Sequence, residues 1–317
     1  MGAFLSRHLQ FWARFNLPYF NVHLVKQIYT FHPFRAIVAP KSEPTNSHWT
    51  TIQNADGLHV LRHNSTIKIC LNRPEKCNAL TISMVEGITR LFNTLSADNS
   101  VHKIVITGHG RYFCTGMDLI EDISAPVAKR SAAFRDLFHC IDSCPKMTVA
   151  LINGPAFGGG VGLATVCDVR LAVFSSYLCL SEVKLGLCPA VISKFLVREW
   201  GTSLARMAMM TGRRVSAQVL YNAGVIHTLV SDIESLEQTA EDFLSETNLA
   251  APRAGASCKA LVREAAEGSD IDGLISEVFQ RMLDKDSESE YGVAQFQKGN
   301  RVISWEDITT HHGTSTY

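Results

Sequence analysis

The sequence predicts an α/β fold in which a region of alternating strands and helices precedes a helical C-terminal region. Short apolar runs alternate with helix-compatible segments from about residue 51 onward, which is typical of buried strands joined by helices. From Ser193 onward the pattern becomes almost wholly helical, as in "SLARMAMMTG" and "SEVFQRMLDK". With 317 residues, of which 46% are hydrophobic, the chain can bury one large core or two small ones.

The predicted elements follow one another in a regular order after residue 51. A hairpin is predicted for "LHVLR" and "TIKICLN", which flank the turn residues Asn64 and Ser65. Thr81 is the expected cap of a helix whose apolar face carries Ile88, Leu91, Phe92 and Leu95. The remaining elements are strand Lys103–Gly108, a helix near Ala132–Asp142, strand Thr148–Ile152, a short helix over Val161–Cys167 and strand Val169–Phe174.

Residues 1–42 have a composition unlike that of the rest of the chain. They contain no Asp or Glu, and they carry the basic side chains Arg7, Arg14, Lys26, Arg35 and Lys41. On a helix one face would be apolar, formed by Phe4, Leu5, Phe11, Trp12 and Phe15. An acid-free amphipathic segment is typical of a mitochondrial presequence and predicts a location in the matrix. The alternative is an N-terminal arm that packs on the domain or on a partner subunit.

The polar, proline-containing segment Pro40–Thr50 is expected to link the presequence to the folded part of the chain. The predicted organisation is therefore a presequence and linker over residues 1–50, a core over residues 51–250, and a C-terminal helical region and tail over residues 251–317. The helices after Ser193 are expected to cover the sheet core or to mediate assembly.

Composition argues against several classes of partner and site. Lys+Arg and Asp+Glu both number 30, and no basic block is present, so no nucleic-acid partner is expected. The nine cysteines include no C-x-x-C pair, which disfavours a metal site and indicates reduced thiols. No apolar stretch approaches the roughly 18 residues that span a bilayer, so no membrane association is expected.

The segment "NGPAFGGGVGL", residues Asn153 to Leu163, follows an apolar strand and precedes a helix. It lacks the lysine of a phosphate-binding Walker loop and the spacing of the dinucleotide motif G-x-G-x-x-G. Bare backbone at Gly159 allows an N–H group in the first turn of a helix to face a developing oxyanion. The alternative is a tight strand-to-helix turn without a ligand.

A second glycine-containing segment, "GHGRYFCTGMDL" (Gly108 to Leu119), also ends a strand. Its order of residues can place the Met117 N–H group opposite that of Gly159. Two backbone donors from separate loops would then form a hole for a thioester enolate. Cys114, beside this hole, is interpreted as a small packing residue rather than a nucleophile.

Four segments, "LNRPEKCNAL", "FCTGMDL", "NGPAFGGG" and "SEVKLGLCPAVIS", occur in an order that resembles the crotonase (enoyl-CoA hydratase/isomerase) superfamily. The resemblance runs from about residue 51 to Trp305. It implies a crotonase-like ββα superhelix core with a C-terminal helical trimerisation region. It also implies an acyl-CoA substrate, a homotrimer or hexamer, and no separate cofactor, because coenzyme A is part of the substrate.

The resemblance also implies roles for particular residues. The amides of Met117 and Gly159 would bind the thioester oxygen, and Glu182 would exchange a proton near C2 of the acyl chain. For Glu182 the alternative is a helix-start glutamate with a surface contact. Lys76 and Arg111 stand where relatives use basic side chains near the phosphates of coenzyme A, and solvated surface charges are the alternative. The implied substrate-binding residues are Lys76, Ala79, Arg111, Gly116, Asp118, Leu119, Gly158, Gly160 and Gly162.

Gly162 departs from the pattern of hydratases with two glutamates, which keep the first glutamate at this position to activate water. Relatives with Δ3,Δ2-enoyl-CoA isomerase activity keep only the second, because one base suffices to carry a proton from C2 to C4. The segments "FGGGVGL" and "CLSEVKLGLCPAVIS" most resemble the methylglutaconyl-CoA hydratase branch, which acts in leucine breakdown. We therefore expect hydration of an α,β-unsaturated acyl-CoA. Isomerisation is the first alternative, and a non-catalytic CoA-binding or RNA-associated homologue is the second.

Overall fold

The chain folds around a seven-stranded sheet with a core on each face. The computed structural model describes residues 49–120, 126–285 and 287–306. The predicted presequence and nearly all of the predicted linker lie outside the described residues, and both remain predictions.

Ten strands are present in the described residues and form two sheets. They are β1 (Thr50–Ala55), β2 (Leu58–His63), β3 (Thr66–Leu71), β4 (Lys103–Gly108), β5 (Met147–Ile152), β6 (Ala156–Phe157), β7 (Val169–Val173), β8 (Tyr177–Cys179), β9 (Arg214–Ser216) and β10 (Thr228–Val230). The large sheet has the strand order β1-β2-β3-β4-β5-β7-β10, and the small sheet has the order β6-β8-β9.

The large sheet is antiparallel at one edge and parallel over the rest. The hairpin of β2 and β3 pairs Leu58 with Leu71, whereas β3, β4, β5, β7 and β10 run parallel to one another. Because β4 and β5 are parallel neighbours, with Lys103 opposite Met147, their carboxyl ends lie at the same edge of the sheet. The two glycine-containing segments follow these strands and therefore start side by side.

Nine α-helices connect and cover the strands within the described ranges. They are α1 (Ile82–Ala97), α2 (Val127–Asp142), α3 (Gly159–Thr165), α4 (Ser193–Thr211), α5 (Ala217–Asn222), α6 (Ile233–Glu246), α7 (Pro252–Ala266), α8 (Asp272–Met282) and α9 (Glu288–Gln297). Short 3₁₀ turns occur at Pro74–Lys76, Ser181–Leu185 and Thr247–Leu249.

Successive side chains of the central strands face opposite layers, as the geometry of a strand requires. Ile104 and Ile106 of β4 belong to the larger core, together with residues of α1, α2, α3 and α4. Val105, between them, packs with Leu236 and Ala240 of α6 in a smaller core on the other face. Burial on both faces accounts for the continuous apolar runs of these strands.

The structure confirms the predicted hairpin, the strands β4, β5 and β7, and the helix that follows Thr81. The Thr81 hydroxyl accepts a hydrogen bond from the Met84 amide at 3.2 Å. α2 begins at Val127, earlier than the predicted Ala132, because its polar first residues hide the apolar period. α3 begins at Gly159 rather than Val161, since the glycines themselves form its first turn.

The segment after Ser193 is less uniformly helical than the sequence predicts. The short strands β9 and β10 interrupt it, and β10 pairs with β7 at the edge of the large sheet. Each of these strands has 3 residues, too few for an alternating pattern to be recognised.

The last three helices contribute little to the core of this chain. α7 and α9 have no buried residue, and α8 has only Val278. Large apolar side chains on or beside these helices are exposed, among them Val262, Ile275, Met282, Leu283 and Tyr291. The role of residues 251–317 in assembly remains a prediction, which this exposed apolar surface favours.

No helix in the described ranges is long and apolar enough to cross a membrane. The same residues contain no group of three or more His, Cys, Asp or Glu side chains placed to hold a metal ion. Cys114 is a free, buried thiol, and burial raises the pKa of Cys114 to about 12. This thiol therefore stays protonated, as expected of a packing residue.

Candidate active site

A cavity of about 470 Å³ opens where the loops after β4 and β5 meet α2 and the 3₁₀ turn Ser181–Leu185. Its walls include six of the predicted site residues: Gly116, Met117, Leu119, Gly158, Gly159 and Glu182. The predicted oxyanion donors and the predicted proton carrier therefore share one cavity.

The loop after β4 is held by backbone hydrogen bonds on one side. Leu80 N donates to Gly116 O at 2.7 Å, and Asp118 N donates to Leu80 O at 2.9 Å. Leu80 and Met117 thus form an isolated bridge. Because successive N–H groups of extended backbone point to opposite sides, the Met117 N–H group points away from Leu80. It is therefore available to a ligand.

The glycine segment is held on its other side by β8, where Gly158 N donates to Cys179 O at 3.1 Å. α3 then starts at Gly159, and the amides of a first helical turn have no acceptor within their own helix. A Cβ atom at Gly159 would lie 3.7 Å from Met117 N. The amides of Gly159 and Met117 therefore lie on the same short stretch of the cavity wall.

The two loops approach so closely that side chains are excluded at Gly116 and Gly160. Gly116 has φ +85°, and a Cβ atom there would lie 2.8 Å from Gly159 N. A Cβ atom at Gly160 would lie 2.2 Å from Cys114 O. Glycine is required at both positions because backbone occupies the space of a methyl group. Gly160 thus supports the wall from behind rather than lining the cavity.

Glu182 lies in the 3₁₀ turn with its carboxyl group against the glycine segment. A Cβ atom at Gly158 would lie 3.0 Å from Glu182 Oε1. Glu182 Oε2 is buried and has no hydrogen-bond partner among the described residues. Burial raises the pKa of Glu182 above the ordinary value of a glutamate. A carboxyl group with a raised pKa and one unpaired oxygen, beside two backbone amides, is suited to carry a proton.

Gly162 is buried in α3 and does not line the cavity. A Cβ atom there would lie 2.2 Å from Ile192 Cγ2 and 3.1 Å from Phe138 Cε1. Ile192 and Phe138 line the cavity themselves. Ile192 therefore fills the space beside Gly162. The packing leaves no room for the glutamate that hydratases with two glutamates carry at this position.

Lys76, Ala79, Arg111 and Asp118 lie outside the cavity, although the resemblance implies that they bind substrate. Lys76 and Arg111 are exposed. Asp118 is buried and pairs with Arg73 at 3.2 Å, and Arg73 also donates to Ala79 O at 2.8 Å. Asp118 and Ala79 thus help to hold the loop that carries the first donor amide.

Several residues of the cavity were not predicted from the sequence. They lie on α2 and on the segment after the 3₁₀ turn, and include Arg130, Ser131, Phe134, Cys188, Val191 and Ile192. Among the described residues that line the cavity, only Arg130 and Glu182 are charged. The tertiary fold brings α2 and residues 181–192 to one cavity, so no local spacing in the sequence indicates this arrangement.

A second cavity, of about 520 Å³, lies beside α7 and is lined in part by Arg198 and Lys259. These cations are paired, Arg198 with Asp142 at 2.7 Å and Lys259 with Asp168 at 2.9 Å. None of the predicted catalytic residues lines this cavity. The smaller cavity, which contains Glu182, is therefore the candidate active site.

Known proteins resemble this chain in sequence and in fold. The model of the enoyl-CoA hydratase/isomerase family matches residues 62–307. The chain is 52% identical to the enoyl-CoA hydratase ACTT6 of Alternaria alternata over 267 residues, which are 84% of this chain and 90% of that protein. It is 29% identical to the human mitochondrial Delta(3,5)-Delta(2,4)-dienoyl-CoA isomerase over 238 residues, 70% of this chain and 71% of that protein.

Among solved structures, AtuE of Pseudomonas aeruginosa has a TM-score of 0.74 and 29% identity, with coverage of 80% of this chain and 100% of that chain. The fold and the site define a crotonase-type enzyme. The chain belongs to the enoyl-CoA hydratase/isomerase family. The expected superfamily and enzyme class are thus confirmed, whereas the methylglutaconyl-CoA hydratase branch remains a prediction.

Proposed function

We propose that this enzyme hydrates the C2–C3 double bond of an α,β-unsaturated acyl-CoA, with 3-methylglutaconyl-CoA as the candidate substrate. The observation that carries the proposal is the position of Glu182, whose Oε2 atom is buried without a hydrogen-bond partner among the described residues, in the same cavity as Met117 and Gly159. Three relatives from Alternaria alternata, 51% to 52% identical to this chain, are named enoyl-CoA hydratases. Their names support hydration over isomerisation.

In the proposed reaction the two amides donate hydrogen bonds to the thioester oxygen, and these bonds strengthen as negative charge develops there. Water adds its oxygen to C3, and the electron pair of the double bond moves toward the thioester as an enolate. Neutral Glu182 protonates C2, and the proton that water loses returns to the Glu182 carboxylate. One carboxyl group closes the proton balance, so the scheme needs no glutamate at Gly162.

The candidate acyl group rests on the segment "SEVKLGLCPAVIS" (Ser181 to Ser193), which resembles the methylglutaconyl-CoA hydratase branch. Residues of this segment, from Ser181 to Ile192, line the cavity. The resemblance thus concerns the wall that an acyl chain would contact. Coenzyme A enters as part of the substrate, and the proposed reaction uses no separate cofactor.

The test is a turnover assay of the full chain on 3-methylglutaconyl-CoA, crotonyl-CoA and a 3-enoyl-CoA. Loss of the conjugated enoyl absorbance reports hydration, and its appearance from the 3-enoyl-CoA reports isomerisation. We expect hydration of 3-methylglutaconyl-CoA to be the fastest reaction. If crotonyl-CoA were hydrated faster, it would replace 3-methylglutaconyl-CoA as the candidate substrate. If isomerisation of the 3-enoyl-CoA were faster, it would replace hydration as the proposed reaction.

Isomerisation of a 3-enoyl-CoA is the second candidate reaction, because Glu182 is the one carboxylate among the described residues that line the cavity. A single base is enough to move a proton between C2 and C4. Substitution of Gly162 by glutamate does not separate the two reactions by itself, since the new side chain would collide with Ile192. The substrate panel is therefore the decisive experiment.

We also propose that subunits assemble as trimers or as pairs of trimers through the C-terminal helices. The support is the apolar surface of α7, α8 and α9, where Val262 is 70% exposed and Leu283 is 58% exposed. Light scattering of the full chain should give three or six times the monomer mass. A stable monomer at micromolar concentration would contradict the proposal.

Targeting to the mitochondrial matrix by residues 1–42 is proposed on the basis of their acid-free, amphipathic composition. A fluorescent protein fused to the C-terminus of the full chain should enter mitochondria. The same fusion without residues 1–42 should remain outside them. Import of the shortened chain, or its loss by aggregation, would favour the packed-arm alternative.

A further inference from the structure

The proposed reaction leaves Arg130, a charged side chain of the cavity wall, without a role. Arg130 is half-buried, and its Nε atom is buried with no hydrogen-bond partner among the described residues. Arg130 also lines the cavity, and a charged side chain without an ion pair there can bind an anionic group of a ligand. The position of Arg130 in the cavity therefore indicates a ligand with an acceptor at this point.

Other arginines of low exposure are paired with carboxylates. Arg73 pairs with Asp118 at 3.2 Å, and Arg198 pairs with Asp142 at 2.7 Å. Arg130 has no such partner within the part of the chain that the structure describes. Among the described residues, the arginines of low exposure elsewhere are thus neutralised, whereas Arg130 lines the cavity without an ion pair.

The neighbouring cation on α2 has a different environment. Lys129 pairs with Glu86 at 3.7 Å, and its side chain is 63% exposed. It does not line the cavity. The first turn of α2 contains no acidic residue and has no side-chain cap, so nothing in that turn neutralises Arg130.

Arg130 and Glu182 line the same cavity without forming an ion pair. No salt bridge joins the two side chains among the described residues, and neither Arg130 Nε nor Glu182 Oε2 has a hydrogen-bond partner there. Each side chain can therefore serve a different part of a ligand in the cavity. The remaining wall is largely apolar, with Leu119, Phe134, Leu185, Leu187, Val191 and Ile192.

We infer that Arg130 determines specificity by binding a carboxylate at the far end of the acyl chain, so that the preferred substrates are enoyl-CoA thioesters of dicarboxylic acids. This inference rests on the proposed hydration, which places the thioester oxygen at Met117 and Gly159. A guanidinium group binds a carboxylate through two parallel, charge-assisted hydrogen bonds. The phosphates of coenzyme A are the other anions of the substrate, and the experiment separates the two sources.

Glutaryl-CoA and pentanoyl-CoA are matched probes, because they share a saturated five-carbon chain and differ in the terminal carboxylate. Their affinities are measured by calorimetry for the wild type, Arg130→Gln and the control Lys129→Gln, all as full chains. Arg130→Gln should weaken glutaryl-CoA binding about 10- to 100-fold, the range expected for lost hydrogen bonds to a charged group. Binding of pentanoyl-CoA should change less than about twofold, and Lys129→Gln should affect neither ligand.

Turnover gives an independent readout with glutaconyl-CoA and 2-pentenoyl-CoA, which differ in the same carboxylate. Arg130→Gln should lower kcat/KM for glutaconyl-CoA alone. Arg130→Lys, which keeps the charge without the planar fork, should retain part of the preference.

If Arg130→Gln weakened the binding of glutaryl-CoA and of pentanoyl-CoA equally, Arg130 would be assigned to the phosphates of coenzyme A or to the fold. If its affinity for both ligands were unchanged, Arg130 would be left without a ligand. Either result overturns the inference. If the wild type hydrates neither enoyl-CoA, the proposed function fails, and the binding comparison still decides the role of Arg130. A preference for glutaryl-CoA that Arg130→Gln abolishes supports the inference in that case too.

Discussion

The two walls of the candidate active-site cavity are built in different ways. The backbone wall consists of the loop through Gly116 and Met117 and the glycine segment Gly158–Gly160, and it presents amide groups. The side-chain wall consists of α2 and residues 181–192, and it presents Arg130, Glu182 and apolar side chains. In the proposed reaction the first wall binds the thioester oxygen, which all acyl-CoA substrates share, whereas the second wall contacts the acyl group.

The backbone wall has no room for change, because a methyl group at Gly116 or Gly160 would overlap the facing backbone. The side-chain wall is much more open, with Leu185 65% exposed and Leu187 47% exposed. In the proposed mechanism the class of reaction therefore depends on a rigid backbone arrangement together with Glu182. The choice of substrate can then vary through side chains that are not locked by the core.

The largest effect is expected at Glu182, the proposed proton carrier of the side-chain wall. Glu182→Gln keeps the shape of the side chain but cannot exchange a proton, so kcat should fall by about 10² or more. Acyl-CoA affinity should change less than about threefold, since the amides of the backbone wall still bind the thioester. Steady-state kinetics and calorimetric titration measure the two quantities.

Lys184→Gln is the matched control, because Lys184 lies in the same 3₁₀ turn and is exposed. Its kcat should stay within about twofold of the wild type, as expected for a surface charge. Near-wild-type turnover in Glu182→Gln on every enoyl-CoA tested would remove Glu182 from the mechanism. The side-chain wall would then contain no residue with a chemical role in the reaction.

The next largest effect tests the rigidity of the backbone wall. In Gly160→Ala the new Cβ atom would lie 2.2 Å from Cys114 O, and the free energy of unfolding should fall by about 1 to 3 kcal/mol. Gly255→Ala is the control, because a Cβ atom there meets nothing within 4 Å and alanine favours the helix by up to about 1 kcal/mol. Denaturant titration measures both.

If Gly160→Ala is as stable and as active as the wild type, the loops are free to move apart. The two donor amides would then not be fixed by close approach of the backbone. If both alanine variants lose the same free energy of unfolding, the effect belongs to glycine substitution in general.

The backbone wall could be predicted from the sequence, and the side-chain wall only in part. Gly116, Met117 and Gly159 follow strands in glycine-rich segments, which are local signals of close backbone approach. Arg130 shares the cavity with residues 181–192 only through the tertiary fold, and Ile192 fills the space beside Gly162 for the same reason. Packing between distant segments has no signature in residue spacing, so neither contact was predicted.

The same distinction holds for the fold. The hairpin, β4, β5, β7 and α1 could be predicted because each is long enough to show its period or its cap. β6, β8, β9 and β10 were missed, since strands of 2 or 3 residues show no alternation. β1 was also missed, because its side chains are mostly exposed and polar. Pairing with other strands holds the short strands, as β7 holds β10.

The smallest effect is a pH dependence of stability on the side-chain wall. Burial raises the pKa of Glu182 in the folded protein, so the folded state binds this proton more tightly than the unfolded chain does. The resulting stabilisation is fully present below the unfolded pKa of about 4.3 and is lost as the pH rises through the folded value. Glu182→Gln has no proton to lose, and its melting temperature relative to the wild type should therefore rise between pH 4 and pH 8.

Calorimetric melting curves at pH 4, 6 and 8 measure this difference, with Lys184→Gln again as the control. Because the amide side chain introduced by Glu182→Gln contributes equally at all three values, only the change with pH carries the signal. A difference that stays constant would mean that the Glu182 carboxylate is not destabilised by burial. A difference that grows with pH would show that the ionised form of Glu182, the proposed proton carrier, lowers the stability of the folded protein. Gly116 and Gly160 have no ionisable side chain and cannot have this effect.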